Sequence, residues 1–219
     1  MADLTNHAPV LNRQIFDNAP IGMAVSDLEG KLVSVNKSFR KTIGYSKKEL
    51  LGLSFIEFTH PDDVKENLRR NGLVEQGLME DHQMEKRFIN KKGNVLHAIL
   101  KVSTLKNKYG KPQFFLAQVL DISDKVDLLS NIKSSERKFR EIFEDAAIPM
   151  AQANTNGDIF NVNKAFSELF EYSNEELKHM KISDVSHPDD MHENKERSQN
   201  LINSEGANYS MEKRYLTKS

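Results

Sequence analysis

Hydrophobic and polar positions alternate with period two, then with a helical period, then with period two again over the first 123 residues. Residues 23–27 and 32–35 are short β-prone runs separated by Leu28-Glu29-Gly30-Lys31, whose glycine suits a tight hairpin. In Lys37–Ile43 the side chains of Phe39 and Ile43 share a helix face, and the preceding Asn36 is a natural N-cap. Ser46-Lys47-Lys48-Glu49 is a capping-box pattern that starts a second helix. Pro61 fits the first turn of a third, where Asp62 and Asp63 favour the positive end and Val64 and Leu68 are expected to face inward. From residue 83 three long strands are predicted, Gln83–Asn90, Val95–Leu105 and Gln113–Ser123, joined by segments with hairpin turn chemistry. The order predicts an α+β domain, an antiparallel sheet with helices gathered on one face.

In the last strand Phe115, Ala117 and Val119 alternate with Phe114, Leu116 and Leu120, so both faces are apolar and both need covering. The domain's own helices cover one face. Residues 4–16, a second protomer or the following segment are the alternatives for the other. Asp124–Glu144 reads as one continuous helix with Val126, Leu129, Ile132, Phe139 and Ile142 on a narrow stripe that Glu136 interrupts.

The pattern occurs twice. Phe16-Asp-Asn-Ala-Pro-Ile-Gly-Met-Ala24 superposes on Phe143-Glu-Asp-Ala-Ala-Ile-Pro-Met-Ala151, an offset of 127 residues. The same offset places Val35-Asn36-Lys37 on Val162-Asn163-Lys164, His60-Pro61-Asp62-Asp63 on His187-Pro188-Asp189-Asp190, and Met84-Glu85-Lys86-Arg87 on Met211-Glu212-Lys213-Arg214. About a third of aligned positions are identical without a gap. A period this long describes two whole domains, since solenoid repeats run about 20–50 residues. The expected division is a cap segment over 1–15, a first domain over 16–123, a helical connector over 124–142 and a second, incomplete domain over 143–219. The second copy is expected to stop after its third strand, because Lys218 and Ser219 are the counterparts of Lys91 and Lys92. A sheet cut there leaves an open edge, so continuation of the natural chain or a partner strand is expected.

Composition narrows the function. The 31 Lys and Arg nearly balance the 32 Asp and Glu, which gives no global field to attract nucleic acid or an anionic membrane. Absence of cysteine excludes disulfides, thiolate metal sites and cysteine nucleophiles. No apolar run approaches the roughly 18 residues that span a bilayer, and the polar start lacks the features of a signal peptide, so a cytoplasmic segment is expected.

The residues resemble the PAS family: Asn18-Ala-Pro-Ile-Gly22, Gly30, Val35-Asn36-Lys37-Ser38-Phe39, Gly44-Tyr45-Ser46, His60-Pro61-Asp62-Asp63, Lys92-Gly93 and Asp121-Ile122-Ser123, in order and largely repeated. The resemblance covers nearly the whole chain. It implies a five-stranded antiparallel sheet flanked by short helices, present twice, that senses redox state, gas, light or metabolites. Such domains often dimerise and signal through helices to a histidine kinase, a diguanylate cyclase or a similar output, here a C-terminal domain outside this sequence. Family members that form a flavin photoadduct, or that attach the xanthopsin chromophore, need a cysteine, which is absent. Haem-binding members carry an axial histidine on the helix after the His60 motif. That position falls near Leu68 in the first copy and Lys195 in the second, neither able to ligate iron there, while His192 lies about one turn early. Non-covalent FAD needs no cysteine, but no diagnostic flavin contact is present. No cofactor is required by the resemblance; haem and FAD stay as alternatives.

Local chemistry adds little catalytic promise. His60 with Asp62 and Asp63, and its repeat, combines imidazole with carboxylates, yet a Pro-started, acid-capped helix explains the spacing. Glu85 and Arg87 share a strand face as an expected surface ion pair, and Lys86 with Arg87 lacks the neighbours of a nucleic-acid patch. No nucleotide-loop, zinc-protease or nucleophile-elbow motif occurs. The expectation is therefore a non-enzymatic sensory and dimerisation module, with a ligand-free interaction scaffold as the rival. Met23, Phe39, Ile43, Phe58, Leu68 and Val119 either line an apolar ligand pocket or fill the core. Phe114, Leu116, Leu120, Asp121, Val126, Leu129 and Ile132 are the expected relay and homodimer positions.

Overall fold

The computed structural model describes residues 8–202 and 208–219. Residues 1–7 of the expected cap segment, 1–15, lie outside them. The chain divides into two units between Ser130 and Asn131.

In the first unit, α1 (Ala8–Asn18) leads into β1 (Gly22–Ser26) and β2 (Leu32–Val35), then α2 (Lys37–Ile43), α3 (Lys47–Leu50), a 3₁₀ turn over Phe55–Phe58 and α4 (Pro61–Glu75). Three long strands follow, β3 (Asp81–Ile89), β4 (Val95–Lys106) and β5 (Pro112–Asp121). All neighbours pair antiparallel in the order β2-β1-β5-β4-β3. Sequence order and sheet order differ because β5 returns to the middle and joins the opening hairpin to the closing meander. Helix α5 (Ser123–Asp145) continues from β5 across the connector.

The expected caps are in place. Asn36 is fully buried and uses both ends of its amide. Its oxygen accepts from the backbone N–H groups of Phe39 (2.8 Å) and Met23 (2.9 Å), and its nitrogen donates to the carbonyls of Phe16 (3.1 Å) and Ile21 (2.9 Å). It thus caps α2 and ties α1 and β1 to it. Ser46 and Glu49 form the capping box of α3. Ser54 and Glu57 form another on the 3₁₀ turn, which the sequence reading did not foresee. Gly30 turns the first hairpin with φ +87°, and a Cβ there would come within 2.7 Å of the Phe55 ring, so both conformation and packing call for glycine.

Alternation along the strands sends Ala24, Phe88, Ala98, Leu100, Val102, Phe115 and Val119 to one face, where they pack with Leu32, Val35, Phe39, Ile43, Leu50, Phe58 and Val74. On the opposite face Phe114 and Leu116 are half-buried and Leu120 is exposed. The described part of the residue 4–16 segment does not cover that face: α1 packs on α2 and leaves Val10, Leu11 and Ile15 exposed.

Leu68 corrects an expectation. It is 46% exposed, while Asn67 and Val74 of the same helix are buried. Asp63, near the start of α4, is bonded to Arg87 of β3, and that anchor fixes the helix rotation. Positions four apart from it, Asn67 and Asn71, then face the sheet, and Leu68 is turned roughly 100° away.

In the second unit β6 (Ala151–Ala153) pairs with β7 (Ile159–Val162), followed by α6 (Lys164–Phe170), α7 (Asn174–Leu177), a 3₁₀ turn over Pro188–Asp190 and α8 (Met191–Ile202). Ile159, Val162, Phe166, Phe170, Leu177 and Val185 form its core, each 127 residues after a buried counterpart in the first unit. The third strand expected here is absent among the described residues; residues 211–214 form no ladder, and this segment makes only the bridge between Ser186 and Tyr215. Sheet order explains this. In the first unit β3 pairs with β4 alone, so a copy without the β4 counterpart offers its third strand no partner.

Candidate ligand cavity and its route to the connector

A cavity of about 40 Å³ lies between the sheet and helices of the first unit. That is room for a few water-sized groups. Its walls are mainly hydrocarbon, from Phe39, Phe55, Phe58, Phe88, Leu100 and Val119 among others, with polar groups from Asn67, Asn71, Lys86 and Ser26. Among the predicted pocket residues, Phe39, Phe58 and Val119 line it. Ile43 is buried in the core beside it but does not line it. Met23 does not line it because β1 sends Gly22, Ala24 and Ser26 inward, which puts Met23 on the other face. Leu68 is excluded by the helix rotation described above.

The sequence reading missed Lys86. On β3 the inward positions are His82, Met84, Lys86 and Phe88, and Lys86 is 4% exposed. Its ammonium donates to Asn67 Oδ1 (2.5 Å) and stands 4.9 Å over the Phe55 ring and 4.6 Å over the Phe88 ring. Burial pushes its pKa down to about 7, against the attraction of Asp63. Asn67 Nδ2 donates to Asn71 Oδ1 (3.2 Å), which also lies 2.8 Å from His82 Nε2. His82 Nδ1 is buried without a partner among the described residues. Burial, then the charges of Arg70 and Lys86, push His82 down to about 4. Strand periodicity carried the signal: Lys86 is in phase with apolar Met84 and Phe88, which a surface lysine has no reason to be.

Arg87 points the other way, and its partner is not Glu85. Its Nη2 donates to Asp63 Oδ1 (2.7 Å) and Asp62 Oδ2 (3.2 Å), its Nε to Asp63 Oδ2 (3.1 Å), and its backbone N–H to the same oxygen (2.7 Å). These hydrogen bonds hold the Asp63 carboxyl below the usual range. Arg214 repeats the arrangement with Asp190 and Asp189. The His60 motif is therefore a Pro-started, acid-capped helix beginning, as read from the sequence, and its clamp to β3 is an addition the sequence reading did not foresee; Pro188–Asp190 opens a 3₁₀ turn before α8 and is held to Arg214 in the same way.

Arg87 pairs in register with His97 of β4, whose backbone N–H donates to Ser123 Oγ (3.0 Å), while its carbonyl accepts from the Ile122 N–H (2.8 Å). Asp121 Oδ1 accepts from the Ser123 N–H (2.9 Å). The start of α5 is thus fastened to β4 one strand from Lys86. Along α5, Val126 is half-buried and Leu129 is exposed. Leu128, Ile132, Phe139 and Ile142 are all more than half exposed and follow heptad spacing, with Ser135 in the intervening place. Glu136 lies beside this line.

The first-unit cavity is far smaller than a haem or flavin ring system, and Leu68, near the position expected for an axial histidine, faces outward. His192, on α8, is exposed.

The fold is an α+β domain built around a five-stranded antiparallel sheet, followed by a partial second copy of the same pattern. The chain belongs to the PAS fold family, which matches residues 11–122 and 137–219. It is 30% identical over 166 residues to the probable diguanylate cyclase DgcE of Escherichia coli (strain K12), covering 73% of this chain and 14% of that protein. It is 28% identical over 193 residues to sporulation kinase A of Bacillus subtilis (strain 168), covering 86% of this chain and 30% of that one. The fold matches the PAS domain crystal structure of a Colwellia psychrerythraea protein with TM-score 0.50 and 20% identity, over 53% of this chain and 98% of that one. The chain thus spans less than a third of these two curated relatives and is a PAS-type sensory input region. Among the described residues no helix is long and apolar enough to cross a membrane.

Proposed function

We propose that the first PAS domain binds a small ligand in the cavity beside Lys86 and passes the change through β3 and β4 to α5, toward the output domain of a histidine kinase or diguanylate cyclase. One observation carries this reading: an ammonium is buried in a mainly apolar cavity, on a strand whose neighbour holds the start of the connector helix. Core filling alone gives no reason to bury an ammonium, since an apolar side chain of similar volume is usually no less stable there. The names of the relatives support a signalling output. The reading is tested by native mass spectrometry of the purified chain, and by Ala117→Phe, which fills the cavity. A co-purified small molecule that this variant loses supports it. Apo protein, with unchanged signalling output in the full-length Ala117→Phe variant, makes the domain a ligand-free scaffold.

The exposed apolar line on α5 favours a second element of the same function, pairing of two copies through this helix. Light scattering on Ile132→Asp with Phe139→Asp checks it, with a dimer expected for the parent chain and a monomer for the variant.

A further inference from the structure

We propose that the cavity of the first PAS domain is a receptor site for a short-chain monocarboxylate. Its carboxylate is held by the Lys86 ammonium and the Asn71 side-chain N–H, and its hydrocarbon part lies among Phe55, Phe58 and Phe88. This rests on the sensory reading above and names the ligand class of that cavity.

Charge is the first argument. An ammonium has three donors, and the single hydrogen bond of Lys86 among the described residues goes to the neutral Asn67 oxygen. No carboxylate lines the cavity. Asp63, whose charge acts on Lys86, is engaged by Arg87 through two side-chain bonds and one backbone bond. A buried cation with neutral partners costs free energy that an anion in the same cavity relieves. The aromatic faces on either side soften that cost without supplying a counter-charge.

Donor geometry is the second. Asn71 spends its oxygen on Asn67 and His82, which leaves its amide N–H groups without a partner among the described residues, on the cavity wall. A carboxylate can therefore accept from Lys86 and Asn71 together, and such charge-assisted bonds are the stronger kind. Size and wall chemistry set the rest. About 40 Å³ admits a carboxylate with a very short tail, and a second charge would face hydrocarbon. Phosphates and dicarboxylates are excluded by this argument.

The internal repeat adds an independent observation. Lys213 and Asn194 stand 127 residues after Lys86 and Asn67, and Lys213 is half-buried where Lys86 is buried, its ammonium 5.0 Å over the Tyr215 ring. His82 and Asn71 are replaced by Tyr209 and Ser198, and the Tyr209 hydroxyl donates to Asn194 Oδ1 (3.0 Å). The lysine and amide recur while their neighbours change, which fits a common anion contact with different selectivity.

The test uses the whole chain with methyl-labelled leucine and valine. Sodium acetate, propionate and butyrate are titrated at about pH 6.5 against sodium chloride of equal ionic strength, with propanol and propionamide as neutral counterparts. The expected result is saturable shifts of the Leu100, Val102 and Val119 methyls with the carboxylates alone, and at least tenfold weaker binding in Lys86→Met, whose spectrum stays folded. Lys86→Gln serves if the methionine variant misfolds. Binding that persists in a folded variant overturns the proposal. So do carboxylates that act no differently from chloride, in two distinguishable ways: shifts with the neutral compounds reject the ligand class and keep the sensor, whereas no cavity shift with any compound also counts against the ligand-sensing reading.

Discussion

Asn36 does the work of a cap, a hairpin tie and an anchor for α1 with one amide. Replacing it with alanine removes four hydrogen bonds and leaves the Met23 and Phe39 N–H groups and the Phe16 and Ile21 carbonyls to find water or go without. Asn36→Ala is expected to lower the stability of the first unit by about 2–4 kcal/mol, read by urea denaturation, more than an exposed cap substitution costs. Lys86 makes a prediction in pH. Its ordinary pKa of 10.5 holds in the unfolded chain and about 7 in the fold, so between those values the unfolded state binds more protons and stability rises with pH. The titratable groups around it are Asp63 on α4, which is paired, and His82 on its own strand, neutral through this range. Stability curves of the parent chain and Lys86→Met should therefore converge as pH rises from about 7 to 10.5, with the variant more stable at the lower end. Equal separation at every pH would show that the folded lysine titrates normally. His82 acts lower: it stays neutral in the fold while the unfolded chain takes up a proton, so stability falls as pH drops from 6.5 toward about 4.

Among the elements, α4 shows what a pattern can and cannot tell. Its start was legible, since Pro61, Asp62 and Asp63 are a helix beginning wherever they fold. Its rotation was not, because Val64 and Leu68 looked like an apolar face while the actual inward face carries Asn67 and Asn71. A polar inward face cannot be seen by periodicity of apolar residues, and the anchor that sets it, Arg87, lies 24 residues away in sequence. The same holds for Met23: its strand was legible, but which of two alternating faces meets the helices depends on the whole sheet. Caps, hairpins and the repeat were legible because each is local or self-similar. The anchor itself is testable. Asp63→Asn keeps the shape and removes the charge, and should lower stability at neutral pH by about 1 kcal/mol. Since Asp63 titrates below its ordinary pKa in the fold, its contribution is present above that value and lost as pH falls through the folded one. The difference between parent and variant should thus vanish in acid.

Across the molecule, the two copies differ in how much core they can build from the same pattern. Helix residues and the first hairpin supply equivalent positions in both, but Phe88, Ala98, Leu100, Val102, Phe115 and Val119 come from β3, β4 and β5 and are all buried in the first unit. The second unit has only the 51% exposed Tyr215 in place of Phe88 and no counterpart to the others. Its α6 also ends on Glu171 at φ +63°, where the first copy has Gly44, and a side chain in that conformation adds about 1 kcal/mol of strain. A two-stranded sheet is marginal alone, and local opening costs less where few apolar contacts hold it. Hydrogen exchange of this chain should therefore show the amides of Ala151–Ala153 and Ile159–Val162 exchanging well before those of β4 and β5, with the Leu100, Val102 and Val119 amides slowest. Supplying the missing strands, by a longer chain that includes counterparts of Gly93–Ser123, should slow β6 and β7 while leaving β4 and β5 unchanged. Equal protection of the two units in the present chain would mean that the second builds its stability from something other than the sheet it shares with the first.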